Sequence, residues 1–221
     1  MNVDVDRRQS LHVHGVGATV TESRLVRLVA IETLDLRPLS ARPIALAGFM
    51  GAGKTSVGRL LAQWLGRRFI DTDDEAERLA GRSILDCFGS GEEAVFREYE
   101  AQAVRVALGQ AGVVIALGGG AMLREDTRRR LRDSAVLVHL HLPWDQVRAR
   151  LPELIAARPL LQGRTEAEVE RLYRARLSLY SQAHVQVQVP PTGVEAAARQ
   201  VLKTLNNGGW SSVTAVRRNE L

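Results

Sequence analysis

Residues 48–55 read Gly-Phe-Met-Gly-Ala-Gly-Lys-Thr, which fits the pattern G-x-x-x-x-G-K-[ST]. The flanking segments constrain the fold more than the pattern itself. In front, the apolar run Ile44-Ala45-Leu46-Ala47 has the length and composition of a buried strand. Behind, Thr55 to Leu65 carries apolar residues at helical spacing. A strand, a glycine-rich loop and a helix in this order aim backbone N–H groups and the helix's positive end at one point, where a polyphosphate is stabilised. In such a loop Lys54 reaches the β- and γ-phosphates and the Thr55 hydroxyl ligates Mg²⁺. The expected ligand is a nucleoside triphosphate.

The chain has 221 residues, enough for one good core but crowded for two full domains. No stretch is apolar over the roughly 18 residues that a membrane span requires. A single cysteine, Cys87, excludes an intramolecular disulfide and suits a reducing cytoplasm. The net charge of +5 comes almost wholly from arginine. Those arginines are interspersed with acids, Arg128-Arg129-Arg130 being the one run, and no recognition motif accompanies them. An anion-binding active site with a solvated surface is expected rather than a nucleic-acid partner.

Residues 1–42 lack the periodicity that begins near Pro43, and no apolar segment follows the early arginines as in a secretory signal. They are expected to form a poorly ordered extension. Asn206-Asn207-Gly208-Gly209 breaks the last helix, so 206–221 is expected to be a tail. Between them, residues 43–205 form one domain. Strands are expected over Ile44–Ala47, Arg68–Asp71, Val113–Leu117, Ala135–Leu142 and His184–Val189. Helices are expected over Lys54–Leu65, Asp74–Ala80, Glu92–Leu108, Arg124–Asp133, Trp144–Leu154, Glu166–Ser181 and Val194–Leu205. The alternation implies an α/β fold with a parallel sheet covered by helices on both faces.

The second strand leads into Asp71-Thr72-Asp73. Carboxylates at i and i+2 would leave the strand on one side, at the carboxyl edge where such sheets hold ligands. One carboxylate near Mg²⁺ and one near an acceptor hydroxyl is what a kinase needs; capping of the next helix is the competing explanation. Gly118-Gly119-Gly120 follows the apolar strand Val113–Leu117, and three glycines in a row suggest close approach of backbone to a ligand. No acid ends that strand, so an ordinary second nucleotide motif is missing. Arg97 alone reads as a helical arginine. The segment Arg158-Pro159-Leu160-Leu161-Gln162-Gly163-Arg164-Thr165 reads as a lid between helices. His139 and His141 share a strand face without a third ligand nearby in sequence, and Cys87, Phe88, Trp64 and Trp144 read as packing.

Taken together, the phosphate loop, Asp71-x-Asp73, Gly91-Glu92…Phe96-Arg97, the triple glycine, Arg158-Pro-Leu-Leu and Arg176-x-x-x-Tyr180 resemble shikimate kinase in order and approximate spacing, from about Pro43 to Leu205. The resemblance implies a P-loop, nucleoside-monophosphate-kinase-like three-layer fold with a five-stranded parallel sheet and a lid. It implies transfer of the ATP γ-phosphate to the 3-hydroxyl of shikimate, in the cytoplasm, by a monomer. By the same resemblance Gly51, Ala52, Gly53, Lys54, Thr55 and Ser56 bind ATP, Thr55 and Asp71 serve Mg²⁺, and lid Arg158 reaches ATP. Asp73 accepts a hydrogen bond from the reacting hydroxyl, with the role of base open to it. Arg97 and Arg176 hold the substrate carboxylate, and Gly119 contacts ring hydroxyls. Ser178 stands where the family often has proline, and a late adenine-clamping arginine is absent near Pro190–Gly193. Two rival readings are a kinase for another polyol acid such as gluconate, and a non-catalytic ligand-sensing domain on the same fold.

Overall fold

A computed structural model describes residues 42–89, 91, 93–157 and 161–207. Five parallel strands form one sheet in the order β2-β3-β1-β4-β5: β1 Ile44–Ala47, β2 Phe69–Asp71, β3 Val114–Ala116, β4 Val136–His141 and β5 Val185–Gln188. Strand β1 is central, with Ile44 opposite both Val114 and Val136. All four of its residues are buried, which is why it reads as an unbroken apolar run. Strand β5 lies at the edge and instead alternates valine with exposed glutamine.

Nine helices lie among the described residues: α1 Lys54–Leu65, α2 Thr72–Ala80, α3 Ile84–Gly89, α4 Glu93–Leu108, α5 Glu125–Ser134, α6 Trp144–Ala149, α7 Leu151–Ala157, α8 Glu166–Tyr180 and α9 Val194–Asn206. From β1 the chain crosses to β2 on one side, and from β2 onward it steps back across the sheet. Right-handed crossovers then place α1 on one face and α2 to α5 on the other. The packing agrees, with α1 against α9 and α2 against α4. Connections therefore leave β1 and β3 toward opposite faces, which opens a crevice beyond their carboxyl ends.

The expected strands all form, four of them shorter at their ends. Three helix assignments change. The helix after β2 begins at Thr72, not Asp74, because the Asp71 carboxylate caps it and accepts from Asp73 N at 3.1 Å. The expected helix Trp144–Leu154 is two helices meeting at Arg150. Pro152 has no N–H to continue the ladder, and Arg150 N turns to Val147 O at 3.0 Å. Helix α3 was not expected. It is only six residues long and follows Ser83, whose hydroxyl donates to Asp86 at 2.6 Å while accepting from Asp86 N. Residues 1–41 of the expected extension, 208–221 of the tail, and Arg158, Pro159 and Leu160 of the lid lie outside the described residues.

Candidate active site

The phosphate loop joins β1 to α1 as the sequence indicates. Gly51 and Gly53 have φ of 81° and 82°, a backbone region that a side chain would strain. Their conformation carries the chain round to Lys54, the first residue of α1. The Lys54 ammonium donates to Gly48 O at 2.9 Å and to Phe49 O at 3.4 Å, so it lies over the loop. Phe49 is buried and packs edge-on against Tyr173 of α8, ring centres 5.3 Å apart, and the Tyr173 hydroxyl donates to Leu142 O. Arg150, at the break between α6 and α7, donates to Gly51 O at 3.0 Å. Ala52 is buried and Ser56 exposed.

The Thr55 hydroxyl donates to Asp71 Oδ2 at 2.7 Å, while Asp71 Oδ1 caps α2. Capping of the next helix was the competing explanation for this aspartate, and it does cap α2, with its second oxygen accepting from Thr55. Donating its proton to Asp71 leaves the Thr55 oxygen's lone pairs for a cation, and the carboxylate supplies negative charge next to it. Asp73 sits in the first turn of α2, off the strand, and its carboxylate abuts Gly118.

Two of the three glycines have a reason besides the expected approach of a ligand. A Cβ on Gly118 would lie 2.9 Å from Asp73 Cγ, and one on Gly120 would lie 2.7 Å from Glu100 Oε1 and collide with the Arg97 guanidinium. Gly118 and Gly120 are thus bare to let protein side chains in. Gly119 has nothing within 4 Å of its Cβ position and is exposed toward the cavity. Three side chains hold the turn: Gly118 N donates to the Thr72 hydroxyl at 2.8 Å, Gly120 N to Glu100 Oε1 at 3.1 Å, and Arg176 Nη1 donates to Gly119 O at 2.9 Å.

Arg97 is paired along its own helix. It donates to Glu100 at 2.5 Å and to Glu93 at 2.7 Å, on the same helix α4. Burial opposes its charge, but Glu100 and Glu93 outweigh that and leave the guanidinium more basic than usual. Glu100, only 4% exposed, was not singled out from the sequence. An acid three residues after an arginine on one helix was the available signal. Arg176 is 7% exposed; burial, and the nearby Arg97 charge, lower its pKa, with Tyr180 pulling the other way.

A cavity of about 320 Å³ lies in the crevice between β1 and β3. Gly51, Gly53, Lys54, Thr55 and Ser56 line it from the phosphate loop, Asp71 from the end of β2, Asp73 from α2, Arg97 and Glu100 from α4, and Gly119 from the turn. Arg176 does not line it but reaches the turn that does. Arg158 lies outside the described residues.

The remaining residues singled out from sequence fall elsewhere. Cys87 is buried with Ala76, Phe96 and Ala103. Trp64 lies against Arg199 and Trp144 against Tyr173. His139 is buried against Tyr180 and faces Gln186 Oε1 at 3.1 Å; burial pulls its pKa down to about 4. No group of three or more His, Cys, Asp and Glu that could hold a metal occurs among the described residues.

A family model for shikimate kinase matches residues 50–206. A shikimate kinase from Geobacillus kaustophilus is 40% identical over 170 residues, covering 76% of this chain and 90% of the relative. One from Thermobifida fusca is 42% identical over 173 residues, covering 77% and 99%. Among solved structures, shikimate kinase from Acinetobacter baumannii in complex with shikimate superposes with a TM-score of 0.66 at 33% identity, covering 85% of this chain and 99% of that one. With the match spanning the phosphate loop, α2, the glycine turn and α8, the chain belongs to the shikimate kinase family.

Proposed function

We propose that this chain transfers the γ-phosphoryl group of ATP to the 3-hydroxyl of shikimate. The observation that carries the reading is one continuous cavity with two chemistries. Gly51, Gly53, Lys54, Thr55 and Ser56 of the anion-binding loop line it together with Asp73, Arg97 and Gly119. A nucleoside triphosphate suits the first set. A small carboxylic acid with several hydroxyls suits the second, through a guanidinium for its anion and a carboxylate and backbone groups for its hydroxyls.

In this reading Lys54 exchanges its carbonyl partners for phosphate oxygens and neutralises charge that develops during transfer. The Thr55 hydroxyl and, through it, Asp71 would hold Mg²⁺, which would supply charge neutralisation at the phosphates. Asp73 accepts the hydrogen bond of the attacking hydroxyl and orients it, acting as base if the proton leaves early. Arg97 and Arg176 take the substrate carboxylate, and Gly119 takes ring hydroxyls. Arg158 would approach ATP from the lid. The single cysteine fits work in a reducing cytoplasm, and arginines interspersed with acids fit a chain, read as a monomer, without a nucleic-acid partner.

A coupled assay of ADP release tests the reading, with ³¹P spectroscopy of the product and gluconate as control substrate. Shikimate-dependent ADP release and a single 3-phosphate product are expected. ADP release with gluconate but not shikimate would overturn the substrate assignment, and tight ATP binding with no acceptor activity would favour a sensing domain.

A further inference from the structure

Strands β2 and β3 pair in parallel with Phe69 opposite Val114, Ile70 opposite Ile115 and Asp71 opposite Ala116. At the start of this ladder Val114 N donates to Arg68 O at 2.9 Å. Donors toward a parallel neighbour recur every second residue, so Gly118 N is in phase with Val114 N. The carbonyl in phase with it belongs to Thr72. That residue, however, is already the first of α2, and its carbonyl points along the helix. Its hydroxyl stands in, accepting from Gly118 N at 2.8 Å across 46 residues of sequence. Thr72 is 1% exposed and Gly118 is buried, so water cannot replace this bond.

We infer that Thr72 is a positioning residue for phosphoryl transfer: its buried hydroxyl extends the β2–β3 ladder by one rung and fixes the triple-glycine turn against Asp73. The inference rests on the function proposed above. The geometry is tight because a single side chain, Asp73, occupies the space where Gly118 would carry a Cβ. The adjacent Thr72 determines how far Gly118 lies from that carboxylate. Gly119 O, one residue on, receives Arg176, and Gly120 N, two residues on, engages Glu100. A shift of the turn at Gly118 therefore moves the proposed hydroxyl acceptor relative to the carboxylate-binding arginines. Misplacement by about 1 Å in such a site can slow turnover about 100-fold with little effect on remote binding.

The test compares Thr72→Ser, which keeps the hydroxyl, with Thr72→Ala, which removes it. The alanine variant is expected to lose about 10- to 100-fold in kcat with shikimate while KM for ATP changes less than about twofold. The serine variant is expected to stay within about threefold of wild type, because it restores the acceptor. Exchange of the Gly118 amide, followed by NMR, should be slow in wild type and Thr72→Ser and fast in Thr72→Ala. Equal kcat in wild type and Thr72→Ala overturns the inference, as does an equal loss in both variants. A loss confined to thermal midpoint also overturns it, since that is a merely structural role. If Thr72→Ala fails to fold, rapid exchange of Gly118 in wild type still refutes the bond and slow exchange supports it. A wild type inert toward shikimate overturns the function reading; the Gly118 exchange pattern then decides only whether the Thr72 hydroxyl holds the turn.

Discussion

Alanine at Gly120 gives the sharpest test of how the glycine turn works. Its Cβ would lie 2.7 Å from Glu100 Oε1 and closer still to Glu100 Oε2 and Arg97 Nη1. The φ of Gly120 is not in the left-handed region, so the backbone itself tolerates alanine and the conflict is one of space. The atoms in the way are the ends of two side chains, which must retreat by about 1 to 2 Å to reach an ordinary non-bonded contact. Retreat disrupts the 2.5 Å Arg97–Glu100 pair and the 3.1 Å bond from Gly120 N. A bond involving a charged group contributes about 1.5–3 kcal/mol, so misplacing Arg97 should weaken shikimate binding by about 2 kcal/mol, roughly 30-fold. Leaving Gly120 N buried without its acceptor should also lower the thermal midpoint by several degrees. Steady-state kinetics with each substrate varied, beside a melting curve, reads all of this. KM for ATP should change less than about twofold, since Gly51–Ser56 is untouched. Gly119→Ala is the control: nothing lies within 4 Å of its Cβ, so the midpoint should hold while the new methyl intrudes on the cavity. A Gly120→Ala enzyme with wild-type shikimate KM and midpoint would refute the steric reasoning.

Arg97→Ala or Arg176→Ala should each weaken shikimate binding by about 2–4 kcal/mol and leave ATP binding nearly unchanged, by isothermal titration. Shikimate methyl ester should be much poorer than the acid in wild type, and that gap should shrink in both variants; an unchanged gap in both places the carboxylate elsewhere. Asp73→Asn keeps size and a hydrogen bond but loses charge and basicity, so kcat should fall further than shikimate affinity; a fall in affinity alone would remove the aspartate from the reacting hydroxyl. His139 gives a pH effect whose sign follows from its depressed pKa. Between about 6.5 and 4 the unfolded chain binds a proton there that the folded chain does not, so stability falls as pH drops through that window, by an order of about 3 kcal/mol. Urea midpoints from pH 7 to 4 should show this decline, and His139→Gln should flatten it; an equal slope in both would assign the acid sensitivity to other groups.

What the sequence determined by itself was local. Gly48 to Thr55 with an apolar strand before and an amphipathic helix after is recognisable because loop, strand and helix adjoin in the chain and each has its own period. The alternation of such segments was enough for a parallel sheet, and six motifs in order were enough for the family. Helix α3 and the break at Arg150 were missed for local reasons too. The first is under two turns long, and at the second Pro152 outweighs an apolar pattern that runs straight through.

The tertiary structure decided the strand order, and with it where the cavity lies. Asp73, Arg97, Gly119 and Lys54 meet only because β1 and β3 are neighbours whose connections leave toward opposite faces. Asp71 could be read as a cap or as a carboxylate near Mg²⁺, and only the folded chain shows one oxygen capping α2 and the other accepting from Thr55. The bareness of Gly118 and Gly120 and the parts played by Thr72 and Glu100 depend on contacts 20 to 46 residues apart. No periodicity encodes those contacts. Burial of a backbone N–H demands some acceptor, but which side chain provides it is settled only when the sheet brings the two ends together.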